Sequence, residues 1–292
     1  MINPIMFTIH IGSFIWPVRW YGVILMTATV IAAWLAAREV QRRGENGDHV
    51  WNAAVWLIPA GVIGARLWYV ANAILGGNRL YLEQPLQIIN IPAGGLHIFG
   101  GLLFGAAALI LYTRRYELDL WLLLDAIAPT ILIGQALARP ANFINQELYG
   151  QPTNLPWGIP ISADHRLAQY ADLSLYPVAT TRFHPTFAYE MIWNFLAAAL
   201  LFYLLYRFAE RIKPGAMFAG WLILAGIGRS IIEQFRPDQP QIPRLGLSYT
   251  NLVSLLMALA GLLMLLWQYK ILRLNFLSKP PEAYRISTKK IA

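Results

Sequence analysis

Seven long apolar runs constrain this chain more than any other feature. A bilayer core is crossed by about 20 predominantly apolar residues in a helix, and residues 21–37, 50–75, 96–112, 118–137, 189–206, 215–235 and 248–271 each approach or exceed that length. A composition of 57% hydrophobic and 13% charged residues agrees, because a soluble domain keeps far more charge. In lipid every backbone polar group must be satisfied within the segment, so such runs fold as helices. The expectation is an all-α integral membrane protein with about seven transmembrane helices, one helical domain over residues 1–271 and a basic tail over 272–292. Residues 1–17 lack the features of a cleaved signal, and Phe7, Ile9, Ile11, Phe14, Ile15 and Trp16 suit a position along the interface. No internal repeat of the kind that builds two-half transporters is visible.

Charge gives the chain a direction. Arg38, Arg42 and Arg43 follow the first span, Arg114 and Arg115 the third, and Arg207, Arg211 and Lys213 the fifth. Lys270, Arg273, Lys279, Arg285, Lys289 and Lys290 follow the seventh. These segments hold well over half of the 23 basic residues, and basic short loops mark the cytoplasmic side. The N-terminus is therefore expected outside and the tail inside, with the Pro-rich stretch 139–185 forming an irregular outer insertion. The net charge of +8 in so apolar a chain points to anionic lipid and not to nucleic acid. The absence of cysteine excludes disulfides and a cysteine nucleophile, so any thiol chemistry uses a thiol on the substrate.

Ionisable residues within spans are costly and so are functional candidates, with structural ion pairs as the competing reading. Arg66 lies 16 residues beyond Val50, roughly 24 Å along a helix at 1.5 Å per residue, which puts it towards the outer side. Arg229 and Glu233 fall at a similar depth, as do Arg139, His97, His184, Tyr189, Glu190, Arg19 and Tyr21. One shared site would explain this gathering, although interfacial anchoring also favours Arg and Tyr at that depth. Arg229 and Glu233, spaced i,i+4, also suit a simple ion pair. Asp125, near the cytoplasmic end of the fourth span, is expected to pair with a basic loop residue or to reach water.

The most specific stretch is Arg139-Pro-Ala-Asn142-Phe-Ile-Asn145-Gln-Glu147-Leu-Tyr-Gly150, followed by Pro156-Trp157-Gly158. Arg139 and Asn142 share a face if the helix continues, while Asn145, Glu147 and Gly150 enter the loop. An arginine can clamp phosphate through paired hydrogen bonds, and amides can hold ester or hydroxyl oxygens. This stretch resembles the signature of bacterial prolipoprotein diacylglyceryl transferases, Gly-Arg-x-x-Asn-Phe-x-Asn-x-Glu-x-x-Gly, with Ala138 in place of the leading glycine. Arg19-Trp-Tyr-Gly22, Gly64-Ala-Arg-Leu67, His184-Pro-Thr-Phe-Ala-Tyr-Glu190, Arg229-Ser-Ile-Ile-Glu-Gln-Phe-Arg-Pro-Asp238 and Gly246-Leu-Ser248 are similar to other motifs of that family, in order, over residues 19–250. Two positions depart from the family pattern. Phe99 stands where some members carry a histidine, with His97 two residues earlier, and Ala225 replaces a tyrosine four residues before Arg229.

The resemblance implies a multi-pass enzyme of the bacterial inner membrane. It would transfer the sn-1,2-diacylglyceryl group of phosphatidylglycerol to the lipobox cysteine of a prolipoprotein signal peptide, releasing glycerol 1-phosphate, the first step of lipoprotein maturation. No cofactor and no metal are implied, and the histidines lack metal-like spacing. Arg139 and Arg229 are then expected to stabilise the leaving phosphate, and His97 to act as base for the acceptor thiol or to serve only as an interface histidine. Phosphatidylglycerol is expected to meet Arg139, Asn142, Asn145, Glu147, Gly150, Tyr21, Arg66, Glu233, Gly100 and Gly101, although close helix packing alone fits Gly100 and Gly101 better than lipid access. His184, expected to cap the fifth helix, would support the site with Tyr189 and Glu190. Another phosphatidylglycerol-using membrane transferase, a lipid flippase and a non-catalytic scaffold are the rival readings.

Overall fold

The computed structural model describes residues 2–12, 14–91, 94–236, 239–243, 245–272 and 279–287. Asp238 and the tail residues Arg273, Lys289 and Lys290 lie outside the described residues. Strands β1 (Ile5–Ile11) and β2 (Phe14–Arg19) form an antiparallel hairpin. Among the described residues eight α-helices follow: α1 (Trp20–Arg42), α2 (Asp48–Leu75), the short α3 (Leu80–Glu83), α4 (Ile98–Arg115), α5 (Leu120–Ile144), α6 (Thr186–Arg207), α7 (Ala216–Glu233) and α8 (Tyr249–Gln268). All but α3 are long and apolar enough to cross a membrane. Large apolar side chains such as Val55, Ile58, Leu102, Leu196 and Leu256 are exposed on them, as lipid-facing residues are.

The expected spans and the observed helices differ most in the fourth. Expected to end at Leu137, it continues as α5 through Pro140 to Ile144. Proline removes one backbone donor, but the helix resumes beyond it because the remaining carbonyls stay paired or find other donors. Arg139 and Asn142 are thus helical, and the irregular segment begins only after Ile144. The hairpin at residues 5–19 is an element that the apolar runs do not announce.

The chain divides into two compact units, one of Met1–Leu35 and Leu124–Ala283, the other of Ala36–Leu123 and Tyr284–Ala292. The first unit has a core of Ala128, Leu132, Ala197, Ala198, Leu201, Leu205, Ala216 and Met217. Asp125, fully buried, accepts hydrogen bonds from the backbone N–H groups of Gly215 and Phe218. It thereby caps the start of α7, where the first N–H groups have no partner within the helix, a role that its sequence position does not reveal. Small residues let α7 and α8 approach closely: a Cβ at Gly226 would stand 2.3 Å from the Ser254 carbonyl oxygen. The irregular segment has a small core of its own, Tyr149, Ile161, Tyr170 and Phe183.

In the second unit α2 and α4 meet through glycines. A Cβ on Gly100 would lie 2.2 Å from the Gly64 carbonyl oxygen, and one on Gly64 would lie 2.4 Å from Phe104 Cβ. Near the chain end, the backbone N–H groups of Arg285 and Ser287 donate to Asp119 and Glu45, and Ser287 Oγ donates to the Tyr116 carbonyl.

Candidate active site

In the first unit, α5, α6 and α7 bring two arginines to one glutamate. Arg139 Nη2 donates to Glu190 Oε1, and Arg229 Nη1 lies 3.8 Å from Glu190 Oε2. Arg229 Nη2 also lies 2.9 Å from Glu233 Oε2, the i,i+4 pair that the spacing allows. The carboxylates sit behind the cations: the side chains of Glu190 and Glu233 are 15% and 5% exposed, those of Arg139 and Arg229 19% and 24%. The sequence places Glu190 only among the supporting residues, whereas here it joins the two arginines. Its signal is its place at the start of the second turn of α6, but which neighbour it meets depends on helix rotation.

Neighbouring groups orient these charges. Arg139 Nη1 donates to Asn142 Oδ1 at 3.3 Å, and Asn142 Nδ2 to Glu147 Oε1 at 2.8 Å. Ser248, the N-cap of α8, donates to Glu233 Oε1 at 2.5 Å, and Ser230 Oγ to Asn251 Oδ1. A continuous chain of polar contacts therefore runs from Glu147 to Ser248. Ser248 enters the sequence reading only as part of a motif, though its position before an apolar run, with the cap's N–H donor at Asn251, is a readable helix start. The Arg139 Nε is buried, with no hydrogen-bond partner among the described residues. A buried donor without an acceptor is unusual and calls for a ligand or water.

The loop after α5 is stitched beside this cluster. Gly150 donates its N–H to the His184 carbonyl, and a Cβ there would stand 2.5 Å from the Phe235 carbonyl oxygen, so no larger residue fits. Asn145 is half-buried just past the helix end. The His184 ring does not cap α6, which starts without a side-chain cap. Its Nδ1 is 3.0 Å from Tyr189 Oη, which accepts a hydrogen bond from Trp157 Nε1 at 2.8 Å. Burial holds the His184 pKa below the usual imidazole value, so the ring is neutral at physiological pH. Tyr21, in the first turn of α1, is exposed.

The other expected site residues belong to the second unit. Arg66 is buried, and four of its donor contacts go to the backbone carbonyls of Gln87, Ile88, Gly94 and Gly95. Its guanidinium also lies over the rings of Tyr69 and Tyr81. It clasps the segment between α3 and α4. His97 is the N-cap of α4: its Nδ1 accepts from the Phe99 N–H at 3.4 Å, and its ring stacks on Trp68. Gly100 is buried against Gly64, and Gly101 faces Gly61 at ordinary contact distance.

Fold and site together define an integral membrane protein of seven spanning helices that holds two arginines and their carboxylates at adjoining helix ends, a setting suited to a phosphate or another oxyanion. The sequence pattern of the prolipoprotein diacylglyceryl transferases matches residues 4–267, and the chain belongs to that family. It is 39% identical over 228 residues to a phosphatidylglycerol–prolipoprotein diacylglyceryl transferase of Chloroflexus aggregans, covering 76% of this chain and 73% of that protein. Proteins with the same description from Synechococcus elongatus and Bifidobacterium longum are 35% and 32% identical, covering 88% and 91% of this chain and 85% of each relative.

Proposed function

We propose that this chain transfers the sn-1,2-diacylglyceryl group of phosphatidylglycerol to the lipobox cysteine thiol of a prolipoprotein in the bacterial inner membrane. The observation that carries the reading is the Arg139–Glu190–Arg229 arrangement, with a buried Arg139 donor left for an incoming acceptor. In the reaction the sulfur bonds to the glyceryl C3 carbon as the C3–O bond to phosphate breaks. The electron pair leaves on the phosphate oxygen of glycerol 1-phosphate, and the thiol proton goes to a base. Fixed guanidinium donors stabilise that oxyanion without having to reorganise. Glu190 and Glu233 hold the two arginines apart and oriented, and Asn142 with Glu147 fixes the third side of Arg139.

The basic residues at one set of helix ends support placing this cluster at the opposite, non-cytoplasmic side, where a lipoprotein signal peptide presents its cysteine. The segment 139–185 is then the outer head of the protein. Residues 1–271 act as one membrane domain, followed by a cytoplasmic tail.

The test is transfer from radiolabelled phosphatidylglycerol to a lipobox peptide by the purified protein. Label is expected on the cysteine, and Arg139→Ala or Arg229→Ala should reduce the rate by about a hundredfold or more, the loss typical of a removed oxyanion donor. A folded wild-type protein that moves no label would overturn the reading. Full activity in His97→Ala would remove only the assignment of His97 as base.

A further inference from the structure

One helical turn beyond the arginine cluster, two amides remain without an explanation. Asn194 follows Glu190 by four residues on α6 and is 4% exposed, yet its Nδ2 has no hydrogen-bond partner among the described residues. Gln135 precedes Arg139 by four residues on α5. It is an exposed amide in the middle of an apolar span, and no hydrogen bond links it to another described residue. Residues four apart share a helix face, so each amide lies below a member of the Arg139–Glu190 pair.

The two amides also share a depth. Arg139 meets Glu190 at one level, while Ala128 and Leu132 pack with Ala197, Ala198 and Leu201 at another. With α5 and α6 thus antiparallel, the residues one turn in from the pair share a level, about 6 Å nearer the middle of the span at 1.5 Å per residue. An amide in hydrocarbon without a partner is costly, and intramembrane polar groups usually face a ligand or a cavity. One turn and more beyond, the two helices contribute Ala128, Leu132, Ala197, Ala198 and Leu201 to a hydrophobic core.

We infer that Asn194 and Gln135 bind the ester carbonyls of the diacylglyceryl group, as a second polar level beneath the phosphate-binding arginines. This rests on the transfer reading above and deepens it. In a diacyl phospholipid the sn-2 ester carbon adjoins the sn-3 carbon that carries the phosphate and the sn-1 ester carbon follows it, both towards the acyl chains. Amide N–H groups are donors and ester carbonyls are acceptors, so the chemistry matches as well as the depth. Below this level the lipid is hydrocarbon, and so is the helix core. Both residues are positioning residues, with no part in bond breaking.

The experiment compares diacyl phosphatidylglycerol with its dialkyl ether analogue, which keeps phosphate, headgroup and chains but lacks both carbonyls. Each hydrogen bond is worth about a fivefold change, so the wild type should prefer the diacyl lipid by about five- to twentyfold, expressed in KM. Gln135→Leu and Asn194→Leu should each reduce that preference towards one. Arg139→Lys should slow both lipids alike and leave the preference intact. A wild-type preference near one, or an undiminished preference in Gln135→Leu, would overturn the inference. Gln135 is exposed, so its variant decides the matter even where Asn194→Leu fails to fold. Absence of any transfer from the diacyl lipid is a separate outcome, which removes the transfer reading and this inference with it.

Discussion

Replacing Gly100 with alanine should loosen the second unit, whereas the same change at the adjacent Gly101 should not. The Cβ that Gly100→Ala introduces would lie 2.2 Å from the Gly64 carbonyl oxygen and 2.4 Å from Trp68 Cβ, where ordinary contact begins at 3.4 Å. Neither obstacle is the mobile end of a side chain, so α2 and α4 must separate by about 1 Å at the crossing. Overpacking of that kind costs about 1–3 kcal/mol, enough to lower an unfolding midpoint by several degrees. At Gly101 the nearest atoms are the Gly61 carbonyl oxygen at 3.4 Å and Ala65 Cβ at 3.6 Å, so the expected change is within about 0.5 kcal/mol. Thermal unfolding in detergent, with transfer rates measured on the same samples, separates packing from lipid contact. Equal destabilisation by the two substitutions, or unchanged midpoints with activity lost in both, would refute the packing account.

Arg66→Lys, which exchanges a forked donor for a point charge, should release the carbonyls of Gln87, Ile88, Gly94 and Gly95; amide exchange around them should rise about tenfold or more, as measured by hydrogen–deuterium exchange. Asp125→Ala leaves the Gly215 and Phe218 N–H groups without their acceptor and should cost about 1–3 kcal/mol, with Asp125→Asn intermediate in a melting assay. The depressed pKa of His184 means that, below its ordinary value of 6.5, the unfolded chain binds a proton that the folded protein still refuses. Folding stability should therefore fall as pH drops through 6.5, and His184→Gln should flatten that part of the stability profile.

The seven spans are legible in the sequence because length and apolarity alone define them. The Arg229–Glu233 pair is legible too, since i,i+4 spacing fixes it locally. Arg66 reads as a lipid ligand because its partners are backbone carbonyls 21 to 29 residues away, and a carbonyl has no residue signature. Glu190 is underrated for a related reason: its two partners come from different helices, whose rotation no local pattern records. The capping role of Asp125 is hidden because it accepts from N–H groups at the start of a helix 90 residues later. The hairpin is the reverse case. The alternation around Thr8 and His10 in Ile-Met-Phe-Thr-Ile-His-Ile carries a strand's period of two, but the same apolar residues also suit a membrane interface, and that reading hides the strand.

Glu190 and Glu233 offset the charges of Arg139 and Arg229 before any lipid arrives. For the proposed reaction, this limits how tightly a singly charged phosphodiester is held, since the carboxylates compete for the same N–H groups. Breaking the C–O bond adds charge to the departing phosphate and tips that competition. The fixed guanidiniums would then attract the phosphate most strongly at the moment of bond cleavage, which would favour the transition state over the bound substrate. Once glycerol 1-phosphate gained its proton or diffused away, Glu190 would again be the anion nearest to both arginines. In the proposed reaction the carboxylates would thus serve as a stored counter-ion that speeds product release and resets the site for the next lipid.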